Sequence, residues 1–367
     1  MNSIFNKILQ NSQSFQFHSP LSAIHRFKCF SWKVSPSNYT ITANFCTYND
    51  YKHKYNLDLL GTWDNRIDRP ILLKTSIKYG KPIPKISLGN CGSFSVIGRR
   101  DYNEDKICIK ELAEDLLYFS IFDGHGGSGC SEFCSRRLDH HIKNQLERGE
   151  TSLESVVKKA FQDVNDSFRR KVEAEPGDTS GTTCTVCILR NSVELVVAHV
   201  GDSRAILCRN GKTISLTEDH VPDSKKEQLR IEAHGGYVHR DDSGRCLVND
   251  RLAMSRSLGD LELKSYGVIA TPEVMSLEVK HGVDNFLALT TDGVSFVMTD
   301  KEVCEHISRC SDSHEAAHLI CDLSLQYASQ DNSSVIIVPF GAWGKNKSTA
   351  IAIDGIGRYM SQSSRYS

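Results

Sequence analysis

Four aspartates stand at the ends of apolar runs that read as core strands. LLYFSIFDGHGG ends on Asp123-Gly124 and FLALTTDGVSF on Asp292-Gly293, while VVAHVGDSRA carries Asp202 just after its run and SQDNSSVIIV carries Asp331 just before one. Asp-Gly is a strong hairpin signal, but the residues after Asp123-Gly124 and Asp292-Gly293 lack the alternation a hairpin needs; Asp202 would serve a hairpin well. Carboxylates gathered at one sheet end repel one another, and holding them unpaired in a partly buried site is costly. A bound divalent cation removes that cost. The set offers oxygen donors with neither Cys nor His, which suits Mn²⁺ or Mg²⁺ better than zinc. Two such ions about 3.5 to 4 Å apart would acidify a bridging water and poise it for in-line attack on phosphorus. The chemistry predicted is metal-assisted hydrolysis.

An anionic substrate also needs positive charge from the chain. IGRRDYNEDKI places Arg99 and Arg100 just ahead of Glu104 and Asp105, and a guanidinium can grip two phosphate oxygens at once. Surface pairing with Asp101 or Glu104 is the equally simple alternative. His125 comes directly after Asp123-Gly124, where it could protonate a departing alkoxide; the neighbouring glycines let backbone approach a substrate closely. His140 and His141, in a charged helix-like stretch, read as solvated surface.

These residues must be positioned by a scaffold. Strands are indicated at 116–122, 182–189, 193–200, 205–208, 286–290 and 334–338. Capping boxes at Thr151-x-x-Glu154 and Thr299-x-x-Glu302 open helices running to about Val172 and Arg309, and Ala316, Ala317, Ile320 and Leu323 mark a third over 313–327. Short spacing between the central strands points to antiparallel meanders. The fold class expected is α+β, a β-sandwich of two antiparallel sheets flanked by helices in α-β-β-α layers.

Composition narrows the class. With 44 basic and 45 acidic residues the 367-residue chain has a net charge of -1, which argues against a general nucleic-acid binder or a membrane-surface protein. Its apolar runs are too short to span a bilayer. Thirteen cysteines without zinc-type spacing read as core thiols of a reducing compartment; Cys184-x-x-Cys187 lies in a β-branched run whose residues three apart face opposite ways. The first acidic residue is Asp50, preceded by Lys7, Arg26, Lys28, Lys33 and eight serines. That is the composition of a transit peptide, most simply mitochondrial. Residues 51–85, with Pro70, Pro82 and Pro84, read as a linker packing on the main domain, and 342–367 as a disordered tail.

RDYNED, FDGHGG, SGTT, GDSRA, LAMSRSLGD, TTDG and QDNSS, in that order, resemble the signature motifs of the type 2C family of metal-dependent serine/threonine protein phosphatases. The resemblance spans roughly residues 86–340, which places the phosphatase domain at 86–341, and implies a central β-sandwich flanked by helices. It implies that Asp123 bridges two metals, that the Gly124 carbonyl is a ligand, and that Asp292 and Asp331 complete the first metal. Arg100 would grip the phosphate, His125 act as general acid, and Glu104 and Asp105 orient metal-bound waters. Thr183, Asp202 and Asp260 match motif positions as third-metal or structural residues, and LAMSRSLGD would border the cleft. In many members the position of Phe296 carries an acid that, with Asp202, helps hold a third metal; a phenyl ring cannot, so that site is expected to be lost or weakened. WDNRIDRPILLKTSIKYGKPIPKISL and VPFGAWGK resemble the mitochondrial members acting on the branched-chain α-ketoacid dehydrogenase complex. This implies a matrix enzyme with a phosphoprotein substrate; a monomer is expected.

Two other readings are weaker. A silent phosphoprotein-binding scaffold on this fold would typically lack Asp123, Asp292 or Asp331, and all three are present. A nucleotide enzyme using GHGGSG would need the Gly-Lys-Ser/Thr of a P-loop, which the chain lacks at that position. For the amino-terminal segment, fusing residues 1–50 to a fluorescent reporter should send it to mitochondria. A diffuse cytosolic signal would refute the targeting expectation.

Overall fold

The computed structural model describes residues 83–344; the transit-like segment, most of the linker and residues 345–367 lie outside it. In chain order the elements are β1 (Gly92–Val96), β2 (Lys106–Ala113), β3 (Leu116–Phe122) and a two-residue β4 (Gly124–His125). Helices α1 (Gly129–Glu147) and α2 (Leu153–Ala174) come next. Then come β5 (Gly181–Thr182), β6 (Cys184–Arg190), β7 (Glu194–Val200), β8 (Arg204–Arg209) and β9 (Lys212–Ser215). Helix α3 (Lys225–Ala233) leads into a small hairpin, β10 (Val238–Arg240) and β11 (Cys246–Val248), and then β12 (Leu258–Gly259). The chain closes with β13 (Glu273–Glu278), β14 (Asp284–Thr290), α4 (Asp292–Ser295), α5 (Asp300–Arg309), α6 (Ser313–Gln326) and β15 (Ser333–Pro339).

Two antiparallel five-stranded sheets, ordered β1-β15-β14-β8-β9 and β13-β7-β6-β3-β2, form the sandwich. Side chains on a strand alternate between faces, and here each face has its own partner. On β3, Leu117, Phe119 and Ile121 enter the core between the sheets, whereas Leu116, Tyr118 and Phe122 pack under α1 and α2. On the other sheet, Leu287, Leu289, Ile336 and Val338 face inward, while Phe286, Ala288, Val335 and Ile337 meet α5 and α6. This is why the central strands read as unbroken apolar runs: both faces are covered. Full burial of such side chains contributes about 1.5–3 kcal/mol each. The α-β-β-α layering expected from the sequence is the observed one.

Helix boundaries obey local chemistry. Helix α2 buries Leu153, Val156, Val157, Ala160, Phe161, Val164 and Phe168 at helical spacing. Its cap is Ser152, whose hydroxyl accepts from Ser155 N, and not the expected Thr151. At α5 the Thr299–Glu302 capping box is complete. The strand read as 182–189 is interrupted at Thr183, because there the chain turns from β5 into β6 to serve the site below. Cys184 and Cys187 do face opposite cores, and none of the eleven cysteines among the described residues is in a disulfide. At the carboxyl end Ala342 is buried, and Trp343 packs edge-on to Phe286 with centroids 5.5 Å apart. The packed chain thus continues two residues past the boundary placed at 341, since the Trp343 indole also donates to Ser311 O at 3.3 Å. His140 is exposed as expected, but His141 is half-buried beside Ser167, 3.3 Å away.

Candidate active site

Both large sheets deliver acids to the same end of the sandwich. Asp123 leaves β3, Asp202 comes after β7, Asp292 opens α4 at the end of β14, and Asp331 precedes β15. Together with Asp260, Arg100, Glu104, Gly124 and His125, three of these four acids, Asp123, Asp292 and Asp331, line a cleft of about 590 Å³. Asp202 sits behind them, close enough that the Asp292 charge acts on it.

The acids are held by hydrogen bonds with neighbouring backbone and hydroxyl groups. Asp123 N donates to Thr183 Oγ1 at 3.1 Å, and Asp123 O accepts from Thr183 N at 2.9 Å, so the interruption between β5 and β6 is what fixes Asp123. Thr183 is in turn held by Ser203, hydroxyl to hydroxyl at 2.7 Å. Asp292 N faces Asp123 Oδ2 at 3.4 Å. Buried Asp105 accepts from Ser334 at 2.6 Å and Thr291 at 3.0 Å. Asn332 ties the loops together: its Oδ1 accepts from Glu104 N at 2.8 Å, and its Nδ2 donates to Ile97 O and Tyr102 O at 2.8 and 3.0 Å. Thr291, Ser334 and Asn332 were not singled out from sequence, although all three lie within the TTDG and QDNSS motifs there.

Crowding and enclosure act strongly on these groups. Burial, reinforced by Asp292, Asp105 and Asp202, pushes the Asp123 carboxyl well above the usual carboxylate range. Burial and the nearby Asp292 charge raise Asp202 to about 7. Burial also lifts Asp105 to about 7, against the Ser334 and Thr291 hydrogen bonds, with Asp292 and Asp331 adding to the rise. Asp105 Oδ1, Asp202 Oδ1 and Asp292 Oδ1 are buried without a hydrogen-bond partner. Buried acceptors without donors are expensive, and several on one spot call for a cation. The all-oxygen donor set fits a hard divalent ion. Gly124 suits the same purpose, because a Cβ there would sit 2.7 Å from both Glu104 O and Ser131 Oγ.

Arg100 pairs with Asp331 at 2.6 Å, and neither Asp101 nor Glu104 is its partner. Arg99 lies aside, against Gln330 at 3.5 Å. His125 Nε2 meets Asp260 Oδ2 at 2.8 Å, which leaves its Nδ1 buried and without a partner. Burial disfavours the imidazolium, yet the Asp260 hydrogen bond and charge outweigh it and the His125 pKa is raised. Asp260 itself adopts a left-handed backbone, φ 46°. It is therefore placed as the partner of His125. At the position of the expected third-metal acid, Phe296 is 83% exposed.

A second group of possible ligands, His199, His220 and Glu273, is less suited to a metal. His220 Nδ1 accepts from Gly201 N at 3.1 Å, so in the neutral ring Nε2 carries the proton and faces Glu273, 3.7 Å away, with no lone pair to offer.

Comparison with known proteins agrees with this geometry. The family described as Protein phosphatase 2C matches residues 91–333. Protein phosphatase 1K, mitochondrial, from Xenopus laevis is 49% identical over 80% of this chain and 80% of its own. Protein phosphatase 1L from Bos taurus is 33% identical over 68% of this chain and 72% of its own. Among solved structures, a serine-threonine phosphatase 2C from Toxoplasma gondii superposes with a TM-score of 0.63 at 22% identity, covering 68% of this chain and 94% of that one; at that identity the likeness concerns the fold.

If like-charge crowding is the dominant strain, Asp292→Asn should raise the melting temperature of the metal-free protein by about 2–4 °C per kcal/mol of repulsion removed. It should also remove most of the rise that added Mn²⁺ gives the unsubstituted protein. Differential scanning calorimetry with and without Mn²⁺ tests both, and a metal-free variant melting below its parent would contradict the account.

Proposed function

The chain belongs to the protein phosphatase 2C family of metal-dependent protein serine/threonine phosphatases, and from that premise we propose that it dephosphorylates phosphoserine or phosphothreonine on a protein of the mitochondrial matrix. The substrate we infer is the branched-chain α-ketoacid dehydrogenase complex. Support for the compartment comes from the acid-free amino-terminal segment and from the mitochondrial designation of the Xenopus laevis relative. Support for the substrate is the resemblance of the stretches flanking the domain.

The observation that carries the catalytic reading is the convergence of Asp123, Asp292 and Asp331, from three distant parts of the chain, on one cleft that also holds Arg100 and His125. Two ions, Mn²⁺ or Mg²⁺, held by Asp123, the Gly124 carbonyl, Asp292 and Asp331, would supply a nucleophilic water acidified toward neutrality. The chain's own residues do the rest. Arg100 presents a planar fork to two phosphate oxygens, and its loop is kept in place by Asn332. Glu104 and Asp105 accept from waters at the site and orient them. His125 Nε2 donates to the Asp260 carboxylate, and in the imidazolium that this pairing favours Nδ1 carries a second proton, which it delivers to the departing seryl or threonyl oxygen, leaving the neutral ring with its Nε2–H still on Asp260. Phe296 confines the site to two ions, and Asp202 acts as a structural support behind it.

The decisive assay is hydrolysis of a phosphoserine peptide by the full chain with Mn²⁺ or Mg²⁺, then with chelator. Activity is expected with either ion and should vanish on chelation; activity that survives would defeat the metal reading. His125→Ala should slow alkyl phosphates about 10²–10⁴-fold while affecting p-nitrophenyl phosphate far less, since only a poor leaving group needs the proton. Asp260→Asn should show the same selectivity at smaller amplitude. Equal slowing of both substrates would make His125 a structural residue.

A further inference from the structure

Among the cleft-lining residues that the chemistry above leaves without a task, one is an exposed aromatic. Tyr102 lines the cleft beside Arg100, Asp101 and Glu104, and its side chain is largely open, the residue being 77% exposed. Isolated exposed aromatics are ordinary on protein surfaces, and Tyr237 and Tyr266 are exposed as well. Tyr102 differs from them in three respects. It faces the same cleft as the catalytic acids, which Tyr237 and Tyr266 do not line. Its backbone is fixed, because Asn332 Nδ2 bonds Tyr102 O at 3.0 Å and Ile97 O at 2.8 Å, and Asn332 Oδ1 holds Glu104 N. The segment carrying Arg100 and Tyr102 is thereby clamped at both ends. Finally, among the described residues its phenol has no hydrogen-bond partner and its ring no aromatic neighbour, so no polar or aromatic contact inside the domain accounts for the ring.

Tyr102 stands two positions from the phosphate-gripping Arg100, a Cα span of roughly 5–7 Å. An extended peptide advances about 3.3 Å per residue and repeats its side-chain direction every second residue. With a phosphoserine side chain turned to Arg100, the residue two positions along turns the same way and falls beside Tyr102. Leu252 and Met254, both largely buried, present apolar atoms to the same cleft.

We propose that Tyr102 is a specificity-determining residue, whose ring receives an apolar or aromatic side chain two positions from the phosphoserine of an extended substrate peptide. This rests on the phosphatase reading above. The ring supplies binding and takes no part in the chemistry, so the effect falls on KM more than on kcat.

The test uses the full chain with Mn²⁺ and two sets of phosphoserine peptides, bearing Leu or Phe against Ser or Asp two positions to either side. The unsubstituted enzyme should prefer the apolar peptide at least fivefold in kcat/KM on one side, mainly through KM. Tyr102→Phe should keep that preference and Tyr102→Ser should abolish it. Equal kcat/KM for all peptides, a preference that survives in Tyr102→Ser, or a preference for Asp, which would assign selection to Arg245 and Arg251 across the cleft, would each overturn the proposal. Chelator-sensitive hydrolysis of p-nitrophenyl phosphate, which has no flanking residues, is measured alongside. Its absence would sink the phosphatase reading itself, whereas its presence with indifferent peptides would sink only the role of Tyr102.

Discussion

Mutual repulsion among Asp105, Asp123, Asp202, Asp292 and Asp331 is the constraint around which this end of the molecule is organised. Burial and shared charge push the first four above the usual carboxylate range, and Asp331 is held against Arg100. A set of acids so placed does not contribute to stability by itself, and the rest of the domain must hold it together. The sandwich does this with three apolar layers, one between the sheets and one under each helical pair. Asp123, Asp202, Asp292 and Asp331 each stand within two residues of the end of a strand buried on both faces, and Asp105 leads into the partly exposed β2. The backbones of those first four have little freedom to retreat from the others.

Hydroxyls and amides then brace what the strands leave open, the backbone of Asp123 in one case and the carboxylates of Asp105 and Asp331 in the others. Thr183 and Ser203 serve Asp123, Thr291 and Ser334 serve Asp105, and Asn332 joins the arginine loop to Asp331 and Glu104. These are short side chains with few rotamers, so each bond costs little entropy to form. They donate to or brace one side of each acid, and the orphaned oxygens that remain are the ones available to a cation.

Much of this was legible in the sequence, for identifiable reasons. Strands such as β3 and β14 announce themselves because burial on both faces writes a continuous apolar run, and an acid ending such a run is conspicuous. The layered fold came from the order of strands and capped helices. What periodicity could not supply was the pairing of side chains far apart in the chain. Arg100 meets Asp331 across 231 positions and His125 meets Asp260 across 135; spacing alone offered Asp101 and Glu104 as partners for the arginine and left Asp260 undecided. The break at Thr183 was likewise invisible, because a β-branched residue in a β-branched run looks like more strand. Ser152 displaced Thr151 as a cap for a local reason: the helix starts one residue later, at Leu153, so the amide three positions beyond the cap is that of Ser155 and not that of Glu154.

The glycines of the motifs gain a sharper meaning from these contacts. A Cβ at Gly181 would lie 2.1 Å from Asp260 Oδ2 and 2.3 Å from His125 Nε2, and one at Gly293 would lie 1.9 Å from Asn332 O. Neither position is required by a left-handed backbone; each is required by close approach. Gly181 lets β5 pass directly over the His125–Asp260 pair, which encloses that hydrogen bond and strengthens it by excluding water. Gly293 lets α4 start against the backbone of Asn332, which brings Asp292 and Asp331 to the same side of the cleft. The convergence of acids is therefore set as much by where side chains are missing as by where the carboxylates stand, and a substitution at either glycine would act on the site by moving strands apart, with every charged group still present.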